Sequence, residues 1–274
     1  MSRASAVPVL MYHHVSPNPG LVTVSPETFA AQMEYLAARG YTTLGADVFA
    51  AFLRGECEVP EKSVLITFDD GYLDNYVHAY PILQKFSLHA VLFIVTGWIG
   101  EGPARSHAGM QAPIPDCPDH RGCMSEIEAG RKDKVILRWS EIESMKQAGV
   151  FEFHSHTHSH VRWDKEYADP EQRIAALGKD LLDSRATLAR RLGNDQPQLC
   201  WPWGYYEPAY VDAALAAGFG TLYSVTKGAA RRGTSPHAIP RIVVKDKPVN
   251  WFARRLWIYS HPLIAALYTR LRGD

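Results

Sequence analysis

The chain has 274 residues, 46% of them apolar, and its 29 lysines and arginines are balanced by 29 aspartates and glutamates. That length fits one or two domains at roughly 150 residues each, and the apolar share excludes a disordered chain or a disulfide-stapled miniprotein. The even charge leaves no whole-chain footprint for nucleic acid, and no apolar run approaches the ~18 residues of a membrane-spanning helix.

The opening MSRASAVPVLMYHH is short and broken by Pro8. It reads poorly as a secretory signal, so a cytoplasmic protein is expected, with Cys57, Cys117, Cys123 and Cys200 as free thiols. Residues 7–12 form the first strand expectation. Ser25 and Pro26 then read as an N-cap and a first helical residue, and Gly40 ends that helix. Residues 41–44 and 64–68 (VLITF) follow as strands, the second apolar enough to be buried on both faces. Residues 77–86 read as a helix kinked at Pro81, and 90–95 (AVLFIV) as another buried strand. Residues 97–134 break this rhythm with Gly, Pro, His and charge. They read as an inserted, disordered surface loop, the other reading being a lid or substrate wall. Ser140 and Glu143 suggest a capping box for a helix to Gln147. A strand at 150–154, a long helix over 170–192, strands at 198–201, 221–224 and 242–244, and a helix at 208–217 complete the pattern. Strands alternating with helices predict parallel βα units in one domain, residues 1–249.

Polar residues cluster immediately after these strands. His13-His14 follow the first, Asp69-Asp70-Gly71 follow VLITF, His156 and His160 follow FEF, and Trp203-Gly204 follow Leu199. In a parallel barrel all four points open at one mouth. Adjacent acids at a strand end point differently, so one can hold a metal while the other handles protons; the competing reading is a simple Asx turn. Four of the twelve histidines fall within His154–His160. His156 and His160 with Asp70 make a two-histidine, one-carboxylate set with an open position, the pattern of a catalytic divalent metal. His154 and His158 fit a supporting role as well as ligation. In the loop Trp201-Pro202-Trp203-Gly204-Tyr205-Tyr206 the aromatics suit sugar faces, and a rigid backbone can aim an N–H at an oxyanion. Trp201, Tyr205, Tyr206 and Trp98 are therefore candidate substrate contacts, the alternative being a hydrophobic plug.

These residues resemble a known family. Thr67-Phe68-Asp69-Asp70-Gly71, His156-Thr157-x-x-His160 and Trp201-Pro202-Trp203-Gly204 look like the first three motifs of the polysaccharide deacetylases, the NodB-homology or carbohydrate esterase family 4 enzymes. Leu10-Met11-Tyr12-His13-His14-Val15 is similar to the start of the branch containing poly-N-acetylglucosamine deacetylases. The resemblance implies a distorted (β/α)7-type barrel and a divalent metal, most often zinc, with nickel, cobalt or iron as alternatives. It implies Asp70, His156 and His160 as ligands, Asp69 as general base, and the Trp203 N–H as oxyanion donor. Where many members carry an arginine to orient the base, this chain has Cys200, and Arg241 is the candidate replacement. The late histidine acid of the family is also missing near Val243. His13 takes that role, with His14 and His261 as alternatives. The implied activity is removal of N-acetyl groups from an amino-sugar polysaccharide or glycolipid. An O-acetyl esterase, a cyclic-amide hydrolase and a non-catalytic sugar-binding module are the rivals.

Cys117 and Cys123 flank a histidine, but their spacing matches no standard zinc ribbon. The tail 250–274 interleaves Trp, Phe, Leu and Tyr with arginine, which suits either a peripheral membrane contact or a last helix packed on the core.

Overall fold

The computed structural model describes residues 2–271. In chain order the elements are β1 (Val9–Tyr12), β2 (His14–Val15), β3 (Thr23–Val24), α1 (Pro26–Ala38), β4 (Thr42–Thr43), α2 (Ala46–Arg54) and β5 (Ser63–Asp70). There follow α3 (Tyr80–Lys85), β6 (Ala90–Ile94), α4 (His120–Glu128), α5 (Trp139–Gln147), β7 (Phe151–Ser155), α6 (Trp163–Glu166) and α7 (Pro170–Leu192). The chain ends with β8 (Leu199–Cys200), α8 (Pro208–Ala216), β9 (Leu222–Tyr223), β10 (Ile242–Val243), α9 (Val249–Ser260) and α10 (Pro262–Leu271).

The main sheet runs β10-β1-β5-β6-β7-β8-β9, with β4 added beside β5 and every pair parallel. Ile239 bridges Tyr223 in parallel, so the segment leading into β10 also touches the far end of the sheet. Seven strands thus curl into a barrel, as the family resemblance implies.

Alternation along β5 sorts the core. Ile66 and Phe68 face outward, into the layer that α1, α5 and α9 cover with Phe29, Met33, Ile142, Met145 and Phe252. Leu65 faces the lumen, where Val9, Val91, Phe93, Cys200, Tyr223 and Ile239 meet it. Helix α2 adds Phe49, Phe52 and Leu53 to that lumen cluster. Thr67 and Asp69 continue the lumen row, which places a carboxylate where the row reaches the mouth.

Three expectations need correction. The inserted segment is ordered: it contains α4 and buries Cys117, Cys123 and Ile127. Its nine-residue helix is too short to show clear periodicity. Helix α5 is capped at Arg138 by Glu141, not by Ser140 and Glu143; the Glu141 carboxylate accepts the Arg138 N–H at 2.8 Å, and the Ser140 hydroxyl goes to Gly102 O at 2.8 Å. Before α3 the chain makes a wide π-helical turn, Asn75–Ala79, so Pro81 sits in the first turn of α3, where its missing N–H costs nothing. Of the two readings of the C-terminal segment, α9 matches the helix packed on the core, because Phe252, Leu256, Ile258 and Tyr259 join the outer core.

Candidate active site

Asp69 and Asp70 end β5, paired with Phe93 and Ile94 of β6. Side chains of successive strand residues should diverge, but Asp70 adopts φ +75°, which turns it back to the cavity that Asp69 faces. Val22, Thr157, His160 and Trp203 are also left-handed, so five of the six non-glycine residues with positive φ among those described lie in or beside this site. Such backbone strain costs ~1–3 kcal/mol per residue and persists where surrounding contacts enforce it. Gly204 is required here: its φ is +65°, and a Cβ would lie 2.3 Å from Val225 Cγ2.

The Asp69 carboxylate is gripped by Arg241. The guanidinium donates through Nη1 to Oδ1 at 2.7 Å and through Nη2 to Oδ2 at 2.8 Å. Its Nε donates to Ser224 O at 2.9 Å, and Nη1 also reaches Thr67 Oγ1 at 3.3 Å. Both partners are buried. Burial alone would raise the Asp69 pKa; Arg241, His13 and His156 outweigh it and hold the carboxyl below the usual carboxylate range. Cys200 places its Sγ 3.7 Å from Asp69 Oδ2. The arginine missing at position 200 is thus supplied from the segment before β10.

His13 follows β1, with Nε2 3.7 Å from Asp69 Oδ2. Burial lowers its pKa, Asp69 and Asp70 pull it partly back, and the net direction is down. His14 is turned away and buried, its Nδ1 2.6 Å from Asp74 Oδ2. His261 belongs to a different region, with Nδ1 2.6 Å from Trp257 O at the end of α9. His13 is therefore the histidine of these three that faces Asp69.

Asp70 Oδ1 lies 3.3 Å from Nε2 of both His156 and His160. The three side chains can offer ligand atoms within 4.8 Å of one another. The His156 Nδ1 lies 2.8 Å from Cys200 O, which accepts a proton there and leaves Nε2 as a lone-pair donor facing Asp70. Asp70 Oδ1 is buried without a hydrogen-bond partner. An orphaned carboxylate oxygen beside two oriented imidazoles is the donor set a divalent cation needs, so these residues fit the metal that the motifs imply. His154 and His158 stand outside the trio: His154 Nδ1 accepts the Gln198 N–H at 2.9 Å, and His158 Nδ1 pairs with Thr96 Oγ1 at 2.9 Å.

The cavity above these groups holds about 210 Å³ and is also lined by Tyr72, His120, Met124, Trp203 and Val225. The Trp203 ring packs 4.1 Å from His160 and is half exposed, so it is the aromatic face on offer. The Trp203 backbone N–H has no backbone hydrogen-bond acceptor among the described residues. The other aromatic candidates are placed differently. Trp201 is buried against Tyr206 and Tyr210, and Tyr205 takes Arg162 over its ring at 4.0 Å in the α7–α8 cluster. Trp98 is buried behind His160, 5.0 Å away. Trp201 still lines the cavity from its buried position, while Tyr205, Tyr206 and Trp98 are not among the residues that line it. His120 is the polar one among the cavity residues that sequence reasoning missed, Tyr72, Met124 and Val225 being others; its one signal was its place between Cys117 and Cys123.

A family model for polysaccharide deacetylase matches residues 57–222. The chain belongs to the polysaccharide deacetylase family. Among its relatives is the Bacillus subtilis protein YxkH, 27% identical over 242 residues, or 88% of this chain and 72% of that one. A poly-beta-1,6-N-acetyl-D-glucosamine N-deacetylase of Staphylococcus aureus is 24% identical over 235 residues, covering 85% of this chain and 71% of the relative. The solved structure of IcaB from Ammonifex degensii superposes with a TM-score of 0.69 at 24% identity, covering 94% of this chain and 98% of that one. The family and these relatives identify a carbohydrate deacetylase on a NodB-type barrel that acts on acetylated carbohydrate.

Proposed function

We propose that this enzyme is a metal-dependent hydrolase that removes N-acetyl groups from an amino-sugar polysaccharide or glycolipid. The observation that carries the reading is the two-pronged grip of buried Arg241 on Asp69, one residue from the Asp70–His156–His160 trio. Such a grip keeps a buried carboxylate ionised and aimed, as a general base requires. Asp69 takes the proton of the attacking water. The Trp203 N–H donates to the acetyl oxygen as negative charge develops there. His13, beside Asp69, protonates the departing amine. A zinc ion, or nickel, cobalt or iron, held by Asp70, His156 and His160 would supply a Lewis acid that polarises the acetyl carbonyl and acidifies water.

Acetate release from an N-acetylglucosamine oligomer, with zinc and with a chelator, tests this. Zinc-dependent release is expected. Asp69→Asn should keep the metal and lose about 10²- to 10⁴-fold in rate. Asp70→Ala should lose both. Faster cleavage of an O-acetyl ester than of the amide moves the enzyme to the esterase rival. Binding without turnover by metal-replete protein moves it to the sugar-binding rival.

We also propose a peripheral contact with an anionic lipid surface through α9 and α10. Residues 249–271 contain Arg254, Arg255 and Arg270 and no acid. Leu263, Leu267 and Leu271 form one i, i+4, i+8 row and are 88%, 58% and 77% exposed. Lys227, Lys245 and Arg255 line a pocket of about 320 Å³ beside them. Leucines flanked by cations suit a membrane interface. Co-sedimentation with vesicles containing phosphatidylglycerol should be salt-sensitive and should fall several-fold in Leu263→Ser/Leu267→Ser. Equal binding by that variant, or none by the parent, overturns the contact.

A further inference from the structure

Helix α4 rises from the inserted segment, and its first residue, His120, lines the catalytic cavity. Two contacts hold the approach to α4: Cys117 O accepts from Ser16 Oγ at 3.1 Å and from Asn18 Nδ2 at 2.7 Å. Asp119 caps the helix by accepting the Gly122 N–H at 2.9 Å. The insertion is thus fastened to the loop that follows β2.

His120 joins a line of polar groups that the reaction does not otherwise use. Its Nδ1 lies 3.1 Å from His14 Nε2, and His14 Nδ1 lies 2.6 Å from Asp74 Oδ2. Asp74 and His14 are buried. The His14 ring stacks on Tyr72 with centroids 3.9 Å apart. Asp74 Oδ1 accepts from the Val15 N–H at 3.1 Å and from the Asn75 amide at 2.8 Å.

With both rings neutral, the protons in this line have one consistent arrangement. The carboxylate can only accept, so His14 Nδ1 carries the hydrogen and His14 Nε2 accepts. His120 Nδ1 must then donate, which leaves a lone pair on His120 Nε2. Burial and the neighbouring His14 hold His120 below the usual histidine value, in keeping with a neutral ring. No group among the described residues pairs with that Nε2. A fixed acceptor on the wall of a carbohydrate site is matched to a hydroxyl, and a site built to bond a hydroxyl discriminates strongly against analogues that lack it.

Resting on the deacetylase reading, we propose that His120 is a substrate-recognition residue that accepts a hydrogen bond from a sugar hydroxyl, with Asp74 and His14 as the residues that position it. The inserted segment is then part of the substrate wall.

The test uses the full zinc-loaded chain and two substrates: an N-acetylglucosamine tetramer, and 4-nitrophenyl acetate, which carries the acetyl group but no hydroxyl. His120→Ala should raise KM for the tetramer about 3- to 10-fold, the equivalent of one hydrogen bond, with kcat within about twofold. Hydrolysis of 4-nitrophenyl acetate should stay at the parent rate. His120→Gln, which keeps an acceptor, should recover part of the KM. Equal losses on both substrates would mean that His120 supports the fold or the chemistry and would overturn the proposal. An unchanged KM would also overturn it. If the parent cleaves the ester and not the tetramer, the substrate reading fails separately. Tetramer binding, measured by calorimetry on parent and His120→Ala, then decides: weaker binding by the variant upholds the hydroxyl contact, and equal binding ends it.

Discussion

At the residue scale, Arg241 shows how one side chain can serve both stability and chemistry. Removing it leaves the Asp69 charge buried without its partner, a loss of about 3–5 kcal/mol when one member of a buried pair is deleted. The same change lets burial raise the Asp69 carboxyl, which works against a base that must be ionised. Arg241→Met should therefore lower the urea midpoint and cut acetate release about 100-fold or more. Arg241→Lys restores the charge but not the fork, and should fall between. Wild-type rates in Arg241→Met would remove Arg241 from the site. This pairing was legible because the motif before Pro202 lacked its arginine and Ile239-Pro240-Arg241-Ile242 offered one near a strand. The aromatic candidates were not legible in the same way. Composition marks a ring as suited to sugar, but only packing decides that Trp203 is half exposed while Trp201 is buried.

At the element scale, the inserted segment depends on Glu141. That buried carboxylate caps α5 by accepting the Arg138 N–H. It also accepts from Arg105 Nε and Nη2, both at 2.7 Å, while Arg105 reaches Asp133 O at 2.6 Å and Ile136 O at 2.8 Å. One carboxylate therefore ties the helix start to the insertion. Glu141→Ala should cost about 3–5 kcal/mol, because it strands Arg105 and uncaps the helix. Limited proteolysis should show new cuts within 97–134 before the barrel opens. Cutting that begins elsewhere would contradict this tie. The long strands and α7 were readable from the sequence because apolar runs and a 23-residue helix carry strong periodicity. Helix α2 was missed, since Gly45 gives it no side-chain cap to announce its start. Helix α4 was hidden by its length and by the Pro and Gly around it. Its order comes from contacts distant in sequence, such as Ser16 with Cys117, which no local pattern reveals.

At the scale of the whole molecule, burial lowers the pKa of several histidines. His13, His78, His107, His120 and His154 all sit below the usual histidine value, and burial is the first cause in each. His89 and His156 are shifted the other way, His89 by Glu152 and the Gly149 carbonyl, and His156 by Cys200 and Asp70, in both cases against the lowering effect of burial. In the unfolded chain all of them titrate near pH ~6.5. Below that pH the unfolded state binds more protons than the folded state at the five lowered positions, whereas at the two raised ones the difference lies above it, where the folded state binds more. The lowered histidines therefore cost stability as the solution is acidified from pH ~6.5 through pH ~6, and the raised ones cost it as the solution becomes more alkaline. The lowered carboxyls of Asp69 and Glu152 act in the same direction further down, losing their contribution below about pH 4. The urea midpoint of the chelated protein should therefore be lower at pH 5.5 than at pH 6.5. His78 lies away from the metal trio and gives a clean single-site check. His78→Gln cannot take up that proton in the unfolded state, so it should flatten the decline without reversing it. A midpoint that holds steady or rises from pH 6.5 to pH 5.5 would contradict this dependence on the lowered histidines.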